Sequence, residues 1–361
     1  MAHNINTYIG RQAAWHALGT VTGHYMTWKD ILEHGGLDFD VFKSQLHDGR
    51  GLPVAAWGTF RWNQADKLAR DASKAQFLGV VGEDYKVLNH ASGFELIDAM
   101  MADSVENGAH YETAGVLGNG EVVWGLADLG LSVRVGDDKS SAYLLFCTSH
   151  DGSYSYQLRG CMERVVCNNT LDIALSERTK NVFKIRHTKN ALTKVADAHR
   201  ALESVAGDVK SVEQKLQFLA GRKVTRESFD KLMLRLFPVK AKDDGTESES
   251  STRRNNVLAE IISLYDANDG NAFPEQRGTA YNLLNAVTAY TDHTRSTKGD
   301  MRAQSALFGS GRALKDSALS LILAEAEQMP PVNLRQAAGA SVAVDWDSLG
   351  LSIPTTAVNA N

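Results

Sequence analysis

At 361 residues, 43% apolar and 22% charged, the chain has the composition of a soluble globular protein and the length of one large domain or two ordinary ones. No apolar run approaches the roughly 18 residues needed to span a bilayer, and MAHNINTYIGRQAAWHALG lacks the basic start and apolar core of a secretory signal. Three cysteines, Cys147, Cys161 and Cys167, form an odd set in a long chain, which argues against a disulfide scaffold and for a reducing cytoplasm.

The formal net charge of −5 hides an uneven distribution. Met1–Leu158 carries 11 Lys and Arg against 19 Asp and Glu, whereas Lys180–Leu236 carries 13 against 6. That second stretch is therefore +7, and a local basic patch draws polyanions even when the whole chain is acidic. A solvated helical face would show the same charge run.

In chain order, Met1–Gly23 is mixed, with Trp15, His16, Leu18 and Gly19 as its anchor. Thr27 is placed to cap a helix carrying Ile31 and Leu32, which Gly35-Gly36 ends. Phe39, Val41 and Phe42 predict a strand, and LPVAAWGTFRW at 52–62 another. FLGVVGEDYKVL at 77–88 reads as two short strands about Gly82-Glu83-Asp84. Ser92 then caps a helix with Phe94, Leu96, Ile97, Met100 and Met101 inside. Tyr111–Leu131 is a hairpin about Gly118-Asn119-Gly120, residues that tolerate positive φ.

Ser141–Leu175 organises the rest. Tyr143–Thr148 is a strand, His150-Asp151-Gly152-Ser153 a turn, and Tyr154, Tyr156 and Leu158 alternate with polar residues. After Gly160, Met162, Val165, Val166, Leu171 and Ile173 fit a helical stripe, interrupted by Cys167-Asn168-Asn169-Thr170. The Asn-Asn-Thr step reads either as a helix boundary or as a polar contact surface.

Val182–His187 predicts one more strand. The pattern is helical from Asn190 to Leu236, with Thr225 capping the last segment and Pro238 stopping it. VKAKDDGTESESST at 239–252 has no large apolar residue and reads as a flexible loop. Helices resume at Asn256–Leu264, Thr279–Asp292 and Gly311–Glu327, and Met329-Pro330-Pro331 closes the core. The expected units are thus an α+β core at 1–189, a basic helical segment at 190–238, the polar loop at 239–252, a helical region at 253–328 and a tail at 329–361. The fold class is α+β: a central antiparallel sheet with flanking helices, followed by a mostly helical C-terminal region.

Few motifs carry chemistry. Cys161 and Cys167 lack the close pairing of zinc ligands, and His150 is a strand pair away, so no metal and no cofactor are expected. Cys167 beside Arg164 is the best candidate for a reactive thiol, but small buried hydrophobes are the favoured reading of all three cysteines. Gly309-Ser310-Gly311-Arg312 and Gly118-Asn119-Gly120 lack the Lys-Ser/Thr of a phosphate loop. The clearest cluster is basic: Arg159, Arg164, Arg178, Lys180, Lys184, Arg186, His187 and Lys189, just after Tyr154 and Tyr156. Cations neutralise phosphates and aromatic faces stack on unpaired bases. Tyr154, Tyr156, Arg159, Arg164, Lys180, Lys184, Arg186 and Lys189 are accordingly the candidate nucleic-acid-binding residues. No catalytic residue is assigned.

RVVCNNTL at 164–171, KIRHTKN at 184–190 and GTAYNLLNAVTAYTDH at 278–293 resemble the phage/plasmid-like protein family, a domain of unknown function (932) carried by bacteriophages, prophages and conjugative plasmids. Trp15-His16-x-Leu18-Gly19 and the hairpin with Gly115, Gly120 and Trp124 fit it too. The resemblance covers roughly Trp15 to Glu327 and supplies no catalytic residues. It implies a protein of the bacterial host's cytoplasm acting in DNA metabolism or defence evasion. The leading expectation is a non-enzymatic single-stranded DNA-binding protein, akin to homo-oligomeric strand-annealing proteins and without membrane partners. The alternatives are a protein-binding inhibitor of a host defence system and an enzyme of nucleic-acid metabolism.

Overall fold

The computed structural model describes residues 5–10, 20–22, 26–63, 74–101, 109–164, 170–172, 182–187, 199–238, 250–267, 273–296, 305–306 and 308–332. An eight-stranded sheet, a three-stranded sheet and a group of helices make up the molecule. This is the expected α+β architecture, with the long helices toward the C-terminus.

The large sheet is built on two long hairpins. β1 (Ile5–Gly10) pairs in parallel with β2 (Thr20–Val21) and antiparallel with β6 (His110–Leu117). β6 turns at Gly118 and Gly120, both at positive φ, into β7 (Val122–Val135). β7 pairs with β8 (Asp138–Ser149), and β8 turns through Gly152, φ +82°, into β9 (Tyr156–Arg164). β10 (Thr170–Asp172) and β11 (Val182–Ile185) share the far edge of β9, one beside each half.

The small sheet has the order β3 (Phe39–His47), β4 (Pro53–Asn63), β5 (Gln76–Val81), all antiparallel. It follows α1 (Trp28–His34), whose N-terminus is closed by a capping box between Thr27 and Asp30. α2 (Ala91–Met101) leads from it back to the large sheet.

Both faces of the large sheet are buried. On one, Phe94 and Ile97 of α2 meet Tyr111, Ala114, Val123, Leu144, Phe146, Tyr156 and Leu158. α2 lies close because each side of the contact has a glycine: a Cβ on Gly125 of β7 would sit 2.5 Å from the Phe94 ring, and one on Gly93 of α2 would overlap Phe146. The other face holds a smaller cluster of Trp124, Leu126, Tyr143, Leu145, Cys147 and Cys161.

The helices are α3 (His199–Ala220), α4 (Arg226–Leu236, capped by Thr225), α5 (Ser250–Ala267), α6 (Ala280–Ala289, capped by Thr279) and α7 (Ser310–Ala326). Every residue of α6 is buried, so it is the axis on which the others pack. Its end runs on as a π-helical turn, Tyr290–Thr294. There the buried Asp292 accepts from Lys315 of α7 at 2.7 Å. The helices are tied to the sheet by Glu213, which accepts from the Arg134 amide, and by Tyr281, whose hydroxyl donates to Asp138.

Several expectations require correction. Glu163–Arg164 and Thr170–Asp172 lie in strands, not in a helix, while 165–169 lie outside the described residues. β9 keeps its period of two because β8 pairs with it from Cys147↔Gln157 to Ser140↔Arg164. The predicted second strand near Leu88 is a loop. Ser92 lies inside α2, which begins at Ala91. The polar segment 239–252 ends in helix, since α5 starts at Ser250; its residues 239–249, like Trp15–Gly19 and the tail from 333, lie outside the described residues. No helix among the described residues is long and apolar enough to cross a membrane.

Candidate functional site

Among the described residues, the predicted basic and aromatic side chains do not share one surface. Tyr156 is 1% exposed, its ring 5.0 Å from Phe146 in the core, so neither of its faces is open to a base. Arg159 is 2% exposed, on the opposite face of β9, with its guanidinium 5.4 Å from the Phe308 ring. Tyr154 is half-buried and packs on the same Phe308 at 5.8 Å. Lys184 and Arg186 are exposed at β11 and its end. Arg164 ends β9 with a side chain outside the described residues, as are Lys180 and Lys189 altogether.

Lys184 and Arg186 gain a neighbour that sequence spacing hides. The amide of Lys86, after β5, donates to the His187 carbonyl at 2.8 Å, and His187 Nδ1 donates to the Lys86 carbonyl at 3.0 Å. This reciprocal pair sets the exposed Lys86 beside Arg186, where the two sheets meet. Glu83 and Asp84, also exposed, occupy the preceding turn.

The outward face of the small sheet is aromatic. Phe42, Phe60 and Phe77 stand in register across its three strands, with ring centroids 5.5 Å apart at each step. Trp62 stacks on Phe42 at 4.0 Å. Phe77 is 49% exposed and Val80, further along β5, is 57% exposed. The other face looks inward. Phe39 lies under Arg61, 4.8 Å from its guanidinium, and Gly79 has no room for a Cβ, which would come 2.8 Å from the Asp151 Cα.

Between the sheets lies a seam of three histidines. His90 comes from the loop before α2, His150 from the β8–β9 turn and His187 from the end of β11. His90 Nε2 is 2.7 Å from the Leu37 carbonyl, which can only accept, so Nε2 carries the proton. In the neutral ring Nδ1 is then an acceptor, and it takes the proton of His150 Nε2 at 3.2 Å. His150 Nδ1 is left bare, buried and without a hydrogen-bond partner. His187 Nδ1 is protonated toward Lys86, and its Nε2 faces the Thr148 hydroxyl at 3.4 Å. Tyr85 stacks on His187 at 4.7 Å and donates its own hydroxyl to the Ser149 carbonyl.

Burial depresses all three. His90 is held down to about 4, mainly by desolvation, with the Leu37 bond and Asp38 opposing and Arg61 reinforcing. His150 lies well below the ordinary range through burial and the neighbouring rings, and His187 is lowered chiefly by burial. The buried Cys147 thiol is pushed up to about 12, so it is a poor nucleophile. Among the described residues no group of three or more His, Cys, Asp or Glu is placed to hold a metal ion.

Sequence reasoning missed the seam because its members lie 60 and 37 positions apart, with no spacing that marks a motif. It also missed the aromatic face, although Phe60-x-Trp62 in the second strand carried the alternation of an exposed ridge.

A model of the family described as a domain of unknown function (DUF932) matches residues 77–310, more than half of the chain, and the chain belongs to that family. The match contains the three histidines and begins at Phe77, leaving β3 and β4 before it. No curated protein and no solved structure matches.

Proposed function

We propose that this member of the DUF932 family is a non-catalytic protein that binds single-stranded nucleic acid, with the outward face of the small sheet as its stacking surface. The observation that carries the reading is the row Phe42, Phe60 and Phe77, with Trp62 beside it and Phe77 half-exposed. Unpaired bases stack on such rings whatever their sequence, and a sheet displays rings at a spacing that suits successive bases. Lys86, Lys184 and Arg186 are the phosphate contacts of this reading, beyond the Val81 end of β5. The resemblance to proteins of phages and plasmids, elements that pass through single-stranded DNA, supports the same reading.

The test is fluorescence anisotropy with labelled oligonucleotides of about 30 nucleotides, single- and double-stranded, across a salt series. Binding of the single strand, weakened by Phe77→Ala at about five- to hundredfold, is the expected result. An absence of binding at low salt overturns the reading.

A protein partner is the second reading. Val80, Leu52 at 55% exposure and Val54 at 37% add aliphatic surface to the same small sheet. Apolar patches of this kind also mark protein interfaces. Self-association on size-exclusion chromatography that Phe77→Ala abolishes would favour it.

A further inference from the structure

We infer that the seam of His90, His150 and His187 is an acid-sensitive latch that holds the small sheet on the large one. The inference rests on geometry and is independent of what the outward face binds.

The bond that joins two of the rings requires a neutral His90. His90 Nε2 must donate to Leu37, so His90 Nδ1 can accept from His150 only while it is unprotonated. A second proton on His90 sets two N–H groups against each other at a 3.2 Å contact. A second proton on His150 falls on Nδ1, which is buried and faces no acceptor. His187 Nδ1 already donates to Lys86, so its added proton falls on Nε2, toward Thr148. Protonation of His90 thus breaks the link between Leu37, which leads into β3, and the β8–β9 turn of the large sheet, and protonation of His150 buries an unpaired N–H beside it. His187, whose added proton the Thr148 hydroxyl can accept, ties Lys86 after β5 to the end of β11 and costs only its burial as a cation.

The charged groups around the seam do not rescue the cations. From β4, Arg61 lies over Phe39 and disfavours a charge on His90. Asp38, ahead of β3, favours it, yet His90 stays depressed. Glu121 of the β6–β7 turn offers His150 its carbonyl, which bonds the backbone amide, and its carboxylate acts on Arg61. Asp151 belongs to the turn beside Gly79, Tyr85 stacks on His187, and Lys86 turns its side chain to solvent. The remaining packing at the seam is aromatic, with Phe39 at 4.5 Å from the His90 ring and 6.1 Å from His150.

For groups held neutral, the latched state binds fewer protons than the open one. Its advantage is complete above the ordinary histidine value of 6.5 and declines as pH falls through the window between 6.5 and about 4. His90 alone then favours opening by about tenfold at pH 5.5, and His150 and His187 add to it.

The experiment is hydrogen–deuterium exchange of the full chain between pH 7.5 and 4.5, corrected for intrinsic exchange. The wild type should lose protection in β3, β4 and β5 as pH falls while α3, α6 and α7 keep theirs. His90→Gln and His150→Gln replace a titrating ring with an amide that donates and accepts but does not titrate. Each should lessen the pH dependence of the small sheet. His90→Gln carries the test if His150→Gln fails to fold. Equal loss of protection in sheet and helices would show global acid unfolding and overturn the latch, as would an unchanged pH profile in the folded variants.

Discussion

The burial of single side chains decides which of them can act. Tyr156 and Tyr154 look alike in sequence, two positions apart on an alternating strand, but Tyr156 is in the core and Tyr154 at a rim. Tyr156→Ala should therefore unfold rather than disarm the protein, costing about 3–5 kcal/mol by urea denaturation, as large-to-small changes in a core do. Cys147 and Cys161 are buried free thiols, and Cys147 is held protonated by its surroundings. Native protein should leave both unlabelled by iodoacetamide at pH 8, and denatured protein should expose them; rapid native labelling of Cys147 would contradict its burial. The preference for cysteines as small hydrophobes was legible in the sequence for these two, because each has apolar neighbours, Leu145-Phe146 before Cys147 and Met162 after Cys161. The histidines were not legible, since a tautomer chain depends on which carbonyl each ring meets.

Elements were readable where one local signal decided them. Thr27, Thr225 and Thr279 each accept from the amide three residues on, and the glycine turns of both hairpins fall where expected. β9 was misread past Gly160 because both its faces are buried. With Arg159 and Gln157 inside as well as Leu158 and Met162, polarity no longer marks the pleat, and Met162 and Leu171, both in strands, fall at positions that also suit a helical stripe. The placing of α2 depends on what glycine lacks. Gly93→Ala should cost about 1–3 kcal/mol in thermal or urea unfolding, because the buried Phe146 ring has no space to withdraw. The join of α6 to α7 has a different weak point. Asp292→Asn leaves Lys315 buried against a neutral partner and should cost about 3–5 kcal/mol, whereas Asp292→Leu with Lys315→Met should recover much of that stability. A single-variant cost equal to that of the double variant would refute the pairing.

At the scale of the molecule, charge is gathered differently from its order in the chain. The +7 stretch from Lys180 to Leu236 read as one local basic patch, but its described residues fall mainly to β11, α3 and α4. What the fold creates instead is a small cationic strip, with Lys86 from an acidic part of the chain set beside Arg186 and Lys184. If nucleic acid runs along this strip, Lys184→Ala with Arg186→Ala should weaken all sequences alike and lower the log–log salt slope by about 0.7 for each phosphate no longer neutralised. Phe77→Ala should reduce affinity with little change in slope, because stacking releases no counterions. Glu83→Gln with Asp84→Asn gives the opposite sign, since two carboxylates at the exposed turn beside Lys86 repel phosphate and their removal should tighten binding at low salt. The gain should fade as salt rises toward 1 M, where the screening length falls to about 3 Å. Affinity that ignores both charge variants while still responding to Phe77 would place the phosphates elsewhere and leave the sheet as the contact surface.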